Sequence, residues 1–341
     1  MSYSFLRPLL FTLDPEQAHC AAFAALDAGA SLGLARHLAG VLPPPRAIEV
    51  MGLCFRNRVG LAAGLDKNAA HLSSLAQLGF GFIEVGTLTP KAQPGNPRPR
   101  MFRLPEHEAL INRLGFNNDG VDAALPRLQR RNIGIPVGVN IGKNALTPIE
   151  RAAEDYLIAL RAVHATADYI TVNISSPNTK NLRDLQAPDS VAALVRTLAQ
   201  ENRVLSQSSG ARRPLAVKIA PDLDDGMIGD IVAAIIDAGG DAIIANNTTI
   251  DRTAVAGHRF AAESGGLSGA PLTRRADAVL AQAVKAAAGR VPVIGVGGIM
   301  SADDALRKLD LGAALIQIYT GLIYRGPGFV GDLVRALDAR A

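Results

Sequence analysis

Short apolar runs separated by amphipathic segments repeat along most of the chain. Eight of these runs, rich in Val, Ile and Ala, are predicted as strands, and a helical segment follows nearly every one. Strands that lack polar alternation are typical of sheets with both faces buried. The predicted strands are 59–63, 82–85, 136–139, 169–172, 215–217, 242–245, 291–295 and 314–318. Eight strand-then-helix units predict an α/β fold, the (β/α)8 or TIM barrel.

Two helices are predicted before the barrel, in an N-terminal extension that ends at Pro43-Pro44-Pro45. Asp14 and Pro15 supply an N-cap and a first-turn proline for the second helix. Its apolar stripe consists of Phe23, Leu26, Ala30 and Leu34. The pair could simply pack on the barrel, or it could lie on a membrane surface with Arg7, Arg36 and Arg46 facing anionic head groups. We predict a helical membrane or quinone-access element at 1–45 and a barrel domain at 46–341, opened by a hairpin at 48–57.

Composition excludes several other classes of protein. The 35 basic and 31 acidic residues leave a net charge of +4, and no long basic run indicates a nucleic-acid surface. Cys20 and Cys54 form no metal or disulfide motif, so we expect no metal site and buried or inert thiols. No apolar run is long enough to span a bilayer, and the first residues lack the order of a secretory signal.

Polar side chains follow the predicted strands again and again. In a barrel of this kind the loops after the strands share one face, so these side chains should converge on one site. The densest stretch is Asn173-Ile-Ser-Ser-Pro-Asn-Thr179, which by itself could be an ordinary turn. The converging groups are Thr87, Asn112, Asn140, Asn173, Ser176, Asn178, Asn247 and Thr248. Neutral amides both donate and accept, which suits a planar heterocycle with alternating N–H and C=O edges.

Two lysines and several glycines add charge and exposed backbone to this face. Lys67 and Lys218 follow strands and could act as a Schiff-base nucleophile or as fixed cations, whereas Lys143 is expected to be a solvated loop residue. The stretch 265–269 and the pair Gly297-Gly298 follow the sixth and seventh strands, where barrels hold phosphate. No GxGxxG or Walker motif occurs, so a ligand with one phosphate is favoured.

Seven motifs in order along the chain resemble the dihydroorotate dehydrogenase family. They are Gly60-Leu-Ala-Ala-Gly-Leu-Asp-Lys67, Asn112-Arg-Leu-Gly-Phe-Asn-Asn118, Asn140-Ile-Gly-Lys-Asn144, Asn173-Ile-Ser-Ser-Pro-Asn178, Val217-Lys-Ile-Ala-Pro221, Gly265-Gly-Leu-Ser-Gly269 and Gly295-Val-Gly-Gly298. The resemblance is to the quinone-dependent, membrane-associated class (class 2). Ser176, which stands where the soluble classes carry a cysteine base, and the N-terminal helices select that class.

The resemblance implies one FMN per chain and assigns residues to it and to the substrate. The implied FMN residues are Ala63, Gly64, Leu65, Asp66, Lys67, Thr87, Asn140, Asn173, Lys218, Asn246, Gly269, Gly298, Tyr319 and Thr320. The implied substrate residues are Lys67, Asn112, Arg113, Leu114, Gly115, Phe116, Asn173, Asn178, Asn247 and Thr248, with segment 112–116 closing over the substrate. Asn246 departs from the threonine that is frequent in similar proteins, so a hydroxyl contact to FMN is not expected there.

The implied reaction is the oxidation of dihydroorotate to orotate, the fourth step of de novo pyrimidine biosynthesis. Ser176 would be the base that takes the C5 proton and would pass it on through water or Thr179. Electrons would leave through the N-terminal helices to a membrane quinone, with His19 either a polar group on that route or a helix-surface histidine. The implied protein is monomeric and peripheral, on the cytoplasmic side of a bacterial inner membrane.

Three alternatives compete with this interpretation. A 2-hydroxy-acid-oxidising FMN barrel would need a histidine base and an arginine pair at strand ends, which are missing here. A soluble fumarate- or NAD-linked dihydroorotate dehydrogenase is disfavoured by Ser176 and by residues 1–45. A non-catalytic barrel that binds a phosphorylated ligand would give a colourless protein, whereas bound FMN would make it yellow.

Overall fold

The computed structural model describes residues 3–340, and it opens with the two helices that the sequence predicts. These are α1 (Tyr3–Thr12) and α2 (Pro15–Ser31). The Asp14 carboxylate accepts hydrogen bonds from the backbone N–H groups of Glu16 and Gln17, so the predicted cap is confirmed. Phe23 is buried against the barrel, but Leu34 lies beyond the end of α2 and is exposed, so the predicted stripe is wrong at that position.

A hairpin and a closed barrel follow the extension. The hairpin pairs β1 (Ile48–Val50) antiparallel with β2 (Leu53–Phe55), as predicted. The elements after it are β3 (Val59–Leu61), α3 (Leu72–Gln77), β4 (Phe82–Leu88), β5 (Met101–Leu104), β6 (Ala109–Asn112), α4 (Val121–Gln129), β7 (Val137–Ile141), α5 (Ala152–Val163), β8 (Tyr169–Asn173), α6 (Pro188–Ser209), β9 (Leu215–Ile219), α7 (Asp225–Asp237), β10 (Ala242–Ala245), β11 (Gly266–Gly269), α8 (Thr273–Ala287), β12 (Val293–Val296), α9 (Ala302–Asp310), β13 (Leu315–Ile318), α10 (Thr320–Arg325) and α11 (Gly328–Asp338).

Eight parallel strands close the barrel in the order β10-β12-β13-β3-β4-β7-β8-β9. The predicted fold is confirmed, and all eight predicted strands lie in the barrel. Nearly every residue of these strands is buried, because helices cover the outer face and side chains fill the interior. At the end of the barrel where the strands begin, Phe55 of the hairpin packs edge to face on Phe82, with ring centroids 5.3 Å apart.

A three-stranded antiparallel sheet, in the order β11-β6-β5, was not predicted. No strand is predicted from the sequence between residues 86 and 113, and residues 265–269 are predicted as a phosphate-binding stretch. In the structure β6 pairs along its length with β11, more than 150 residues further along the chain. A side chain at Gly265 would meet the Asn112 carbonyl oxygen at 2.2 Å, and one at Gly269 would meet the Glu108 carbonyl oxygen at 2.2 Å. Glycine is therefore required for the close approach of these two chain segments.

Two smaller expectations are wrong. Lys143 is buried and not solvated: its ammonium donates to the carbonyl oxygens of Asn144 at 2.9 Å and Thr147 at 2.6 Å, and burial lowers its pKa. Cys20 and Cys54 are free thiols as expected, but both are exposed. Within residues 3–340, none of the helices combines the length and apolar character needed to cross a membrane.

Substitution of Gly138 tests how tightly side chains pack inside the barrel. A Cβ atom at Gly138 would lie 2.1 Å from the ring of Tyr169, which is fully buried and hydrogen-bonded to Glu84. We expect Gly138→Ala to lower the free energy of unfolding by about 1–3 kcal/mol or more. Gly229→Ala is the matched control, because Gly229 lies in α7 with open space around it and alanine should add up to about 1 kcal/mol. Urea unfolding followed by circular dichroism measures both, and equal midpoints would contradict the packing argument.

Candidate functional site

One cleft of about 1030 Å³ lies where the barrel strands end. Most residues that the sequence assigns to a ligand line it. They are Ala63, Gly64, Lys67, Thr87, Asn112, Leu114, Gly115, Phe116, Asn173, Ser176, Asn178, Lys218, Asn246, Asn247, Thr248, Gly269, Gly298, Tyr319 and Thr320.

Asn173 is the centre of the hydrogen-bond network in this cleft. Its amide donates to Thr87 Oγ1 at 3.0 Å and to Asn140 Oδ1 at 3.2 Å, so groups from three strands are held together. Its side-chain oxygen, Oδ1, accepts from the hydroxyl of Ser175 at 3.1 Å. The Asn247 amide in turn donates to the Ser175 hydroxyl at 3.0 Å. These bonds fix the orientation of the amides before any ligand binds.

Ser176 lies in the loop that follows β8. It is 5% exposed, and its Oγ accepts a hydrogen bond from the backbone N–H of Asn178 at 3.2 Å. That bond leaves the hydroxyl proton and one lone pair of Ser176 available to the cleft. Within residues 3–340 the Ser176 hydroxyl has no histidine or carboxylate partner, so any base chemistry would depend on the charge of the cleft.

Two ammonium groups supply that charge. Lys67 and Lys218 both line the cleft, and neither forms an ion pair within the described part of the chain. Burial lowers the pKa of both groups; Glu16 opposes this effect at Lys67 and Glu84 opposes it at Lys218. Unpaired cations facing a cleft indicate an anionic ligand.

Several amide atoms in the cleft are buried without a hydrogen-bond partner. They are the side-chain oxygens of Asn117, Asn178 and Gln317 and both polar atoms of the Asn246 side chain. Native structures leave few buried polar atoms unpaired, so this concentration indicates a ligand that supplies the missing partners. Asn246 therefore offers a donor and an acceptor at the position where the sequence lacks a threonine.

Glycines and a helix start form a second subsite at one end of the cleft. A Cβ atom at Gly298 would lie 2.3 Å from the Thr273 backbone, so only glycine allows the chain to pass there. The first residue of α10, Thr320, faces the same space, and its hydroxyl donates to Ser268 Oγ at 2.8 Å. Exposed backbone and hydroxyl groups of this kind suit a phosphate.

Four assigned residues do not line the cleft. The Arg113 guanidinium is directed to Glu263 at 2.5 Å and stacks on Phe102, so the side chain of Arg113 lies outside the cleft lining and its assignment to the substrate stays a prediction. Asp66 is buried under its own loop, where it accepts from the backbone N–H groups of residues 68, 70 and 71. Leu65 lines a different cavity, and Asn140 lies behind Thr87.

Sequence reasoning gave no role to Asn117 or Gln317, which also line the cleft. Asn117 is inside a motif that was recognised, so that motif already contained the signal. Gln317 is the polar residue inside an apolar strand, β13, and its complete burial requires partners. Such a glutamine is a signal for an interior site.

A second cavity, of about 910 Å³, lies between the N-terminal helices and the barrel. Its lining is mostly apolar and includes Phe11, Phe23 and Leu26. Arg103 is its cationic group, held by the carbonyl oxygens of Phe11 and Leu13. Tyr319 is the residue that lines both cavities, so the two cavities adjoin there.

His19 is a polar group of this second cavity. Its ring packs edge to face on Phe23, with centroids 4.8 Å apart. Burial, together with the positive charges of Lys67 and His71, lowers the pKa of His19 to about 4. His19 is therefore neutral near pH 7 and can both donate and accept a hydrogen bond inside an apolar cavity.

Fold and site together define a class, the α/β barrels that hold a phosphorylated, planar ligand at the ends of their strands. The family model for dihydroorotate dehydrogenase matches residues 46–340. Curated relatives from Chromobacterium violaceum and Bordetella pertussis, both named dihydroorotate dehydrogenase (quinone), are each 54% identical over 98% of this chain and 97% of their own length. The chain belongs to the dihydroorotate dehydrogenase family.

Solved structures agree with this assignment. The ligand-free dihydroorotate dehydrogenase from Eimeria tenella has a TM-score of 0.84 and 38% identity, covering 95% of this chain and 94% of that one. The complex of the Eimeria tenella enzyme with ferulenol has a TM-score of 0.83 and 37% identity, covering 95% of this chain and 90% of that one.

The charge environment of His19 gives a test by NMR. We expect its ring to titrate near pH 4 in the native protein, against an ordinary value of 6.5. Lys67→Met should raise the His19 pKa, because one of the positive charges that disfavour the imidazolium is removed. Lys285→Met, which removes an exposed charge on α8, is the control and should leave the value unchanged. A wild-type His19 that titrates near 6.5 would contradict the buried, cation-flanked environment.

Proposed function

We propose that this chain oxidises dihydroorotate to orotate with one bound FMN and passes the electrons to a membrane quinone, in de novo pyrimidine biosynthesis. The observation that carries the proposal is a pair of adjoining cavities, of which the first offers many more polar groups than the second. One is lined by amides, Ser176 and two lysines, and the other is apolar and lies under the N-terminal helices. They meet at Tyr319. A polar two-electron donor would fit the first cavity, and an apolar electron acceptor would fit the second.

The polar cleft fits FMN on several independent grounds. The glycine passage at Gly298 and the hydroxyl of Thr320 suit the phosphate, and the unpaired atoms of Asn246 and Gln317 suit the polar edge of a flavin. Lys218 supplies a cation in the same cleft. FMN, when bound, supplies reversible two-electron redox chemistry that no side chain here can provide.

The substrate side of the cleft suits a small planar anion. Lys67 would match its carboxylate, and the amide of Asn178, which donates to Asn112 Oδ1 at 3.2 Å, would bind its ring edge together with Asn247. Gln93 holds segment 112–116 in place by donating to the carbonyl oxygens of residues 115 and 116. A covering segment fixed in this way excludes water from the substrate.

Ser176 is proposed as the base that takes a proton from dihydroorotate C5 at its Oγ. A serine hydroxyl is a weak base, but Lys67 and Lys218 make the cleft electropositive and so favour loss of a proton from the substrate. Thr179, 8% exposed and three residues further on, is the group that would pass the proton toward solvent.

The N-terminal element, residues 1–45, is proposed to place the apolar cavity at a bacterial inner membrane, on its cytoplasmic side, in a monomeric and peripheral protein. Phe5, Leu6 and Leu9 of α1 are exposed, and α1 buries none of its side chains. Arg46 is paired with Asp338 and is a poor lipid contact.

Co-sedimentation of the protein with anionic vesicles tests the proposed membrane contact. Phe5→Ser/Leu9→Ser should abolish co-sedimentation, and undiminished binding to the vesicles would refute α1 as the membrane-binding surface. Sedimentation velocity tests the monomer.

The function is tested in one cuvette. The purified protein should be yellow, anaerobic dihydroorotate should bleach the flavin band, and a soluble quinone should restore it. Recovery of the flavin band with fumarate or NAD⁺, and not with quinone, would favour a soluble dihydroorotate dehydrogenase. A yellow protein that dihydroorotate does not bleach would refute the substrate. A protein that stays colourless after addition of FMN would favour a non-catalytic barrel.

Replacing Ser176 tests the base. Ser176→Ala should lower the rate of flavin reduction by dihydroorotate by about 10²- to 10⁴-fold, the usual contribution of a general base, while FMN remains bound. Ser208→Ala, at the exposed end of α6, is the control. Stopped-flow absorbance measures the rate, and reduction of Ser176→Ala at the wild-type rate would remove Ser176 from the mechanism.

Narrowing the apolar cavity tests the quinone route. Ala22 lines this cavity from α2, so Ala22→Trp should raise the KM for quinone by about tenfold, the effect of losing ~1.4 kcal/mol of binding. Flavin reduction by dihydroorotate should be unchanged. Ala21→Trp is the matched control, since Ala21 is exposed on the same helix and does not line the cavity. Equal KM values for the two variants would place the quinone elsewhere.

A further inference from the structure

Arg183 lies in the loop between β8 and α6, outside the lining of the polar cleft, and has no part in the proposed function. Its side chain is only 21% exposed. The guanidinium group is hydrogen-bonded to three different loops, those that follow β8, β9 and β10. Arginine can join three partners in this way because its five N–H donors point in fixed directions within one plane.

Two of these three contacts are to backbone carbonyl groups at the predicted site. Arg183 Nε donates to the carbonyl oxygen of Ser175 at 3.0 Å, immediately before Ser176 in the chain. Arg183 Nη2 donates to the carbonyl oxygen of Thr248 at 2.9 Å, and Thr248 is one of the residues assigned to the substrate. One side chain therefore joins the segment that carries the proposed base to a segment that lines the substrate side of the cleft.

Asp222 fixes the direction of the Arg183 guanidinium. Its Oδ2 accepts from Arg183 Nη1 at 2.7 Å, and the Asp222 side chain is 17% exposed. The same carboxylate accepts from the backbone N–H of Ile250 at 3.1 Å and from the hydroxyl of Thr249. Charge-assisted hydrogen bonds are stronger than neutral ones, so Asp222 holds Arg183 firmly against the chain that follows β10.

The two segments that Arg183 joins also meet at Gly266 of β11. A Cβ atom at Gly266 would lie 3.2 Å from Pro177 and would overlap the side chain of Thr248. Pro177 directly follows Ser176, so the chain is held on both sides of this serine. The contact before it is the hydrogen bond from Arg183, and the contact after it is the close packing on β11.

We propose that Arg183 is a positioning residue for the proposed base, because it holds the loop that carries Ser176 at a fixed distance from Thr248. In the part of the chain that the structure describes, the Ser176 hydroxyl has no histidine or carboxylate to orient it. Its position therefore depends on the backbone of its own loop, and Arg183 binds that backbone one residue away. The inference rests on the proposed function, since it takes Ser176 as the group that removes the proton.

Arg183→Lys tests this role. Lysine keeps a positive charge beside Asp222 but cannot hold two carbonyl groups in fixed directions. The rate of flavin reduction by saturating dihydroorotate, measured by stopped-flow absorbance, should fall by about 10- to 100-fold, because a misplacement of about 1 Å can cost about 10²-fold. FMN should remain bound. A rate equal to that of the wild type, or loss of FMN from the variant, would overturn the proposal.

Arg131→Lys is the matched control. Arg131 also joins a backbone carbonyl group, that of Thr166, to a carboxylate, that of Asp168. These contacts lie at the other end of β8, just before the strand begins, so they are remote from the cleft. Arg131→Lys should reduce its flavin at the wild-type rate, and a loss as large as that of Arg183→Lys would overturn the proposal.

A double-mutant cycle with Ser176→Ala separates positioning of the base from a general loss of structure. If Arg183 acts through Ser176, Arg183→Lys should slow the Ser176→Ala protein by less than about twofold. An equal factor in both backgrounds would overturn this proposal and leave the proposed function intact. Ser176→Ala at the wild-type rate, or a wild-type flavin that dihydroorotate does not reduce, would refute the proposed function and this inference with it.

A further variant covers the case in which Arg183→Lys does not fold. Asp222→Asn removes the charge that directs Arg183 but leaves both carbonyl contacts possible. It should therefore give a smaller loss of rate, and this loss should again disappear in the Ser176→Ala background. A loss that is the same in both backgrounds, or no loss at all, would overturn the proposal.

Discussion

The constraint on which this structure depends is the closure of eight parallel strands into a ring. Parallel pairing forces every strand to end on the same rim, whatever its side chains are. Thr87, Asn173 and Lys218 are far apart in sequence, yet β4, β8 and β9 deliver them to one cleft. The chemistry of the site is therefore a property of strand ends, and the helices between them serve to close the ring.

The barrel interior changes character along its axis. At the end where strands begin, Phe55 and Phe82 pack with the ring of Tyr169, so this part is apolar. The hydroxyl of the same tyrosine donates to Glu84, where the polar interior begins. Toward the cleft, Asn140 continues the network. Polar atoms so far from solvent are tolerated because the closed strands hold donors and acceptors in fixed register.

Much of this architecture could be predicted because it depends on patterns among residues that are close together in the sequence. Apolar runs and helix caps identified the barrel strands and the start of α2, and polar strand ends identified most of the cleft. The sheet that contains β11 could not be found in the same way, because its pairing joins segments more than 150 residues apart. The direction of the Arg113 side chain could not be predicted for a similar reason, because it depends on a partner, Glu263, that local sequence does not reveal. The division at residue 45 and the roles of the site residues stay predictions.

The N-terminal element is tied to the barrel by charge as well as by apolar packing. Glu16 of α2 accepts from the Arg100 guanidinium at 2.8 Å, and Arg100 also holds the carbonyl oxygen of Asn96 at 2.9 Å. The Asn96 amide donates to the backbone of Arg113 at 2.8 Å, in the segment that covers the cleft. The helix that lines the apolar cavity and the cover of the polar cleft are therefore parts of one connected framework.

Tyr319 is the residue common to the linings of the two cavities, and this has a kinetic consequence. A molecule in one cavity and a molecule in the other occupy separate spaces that adjoin at this residue, so electrons can pass between the two spaces through a carrier bound at their junction. The two half-reactions are thus separated in time as well as in space. Steady-state rates measured against both reactants should give parallel double-reciprocal lines, the pattern of a shuttle whose carrier visits each reactant in turn.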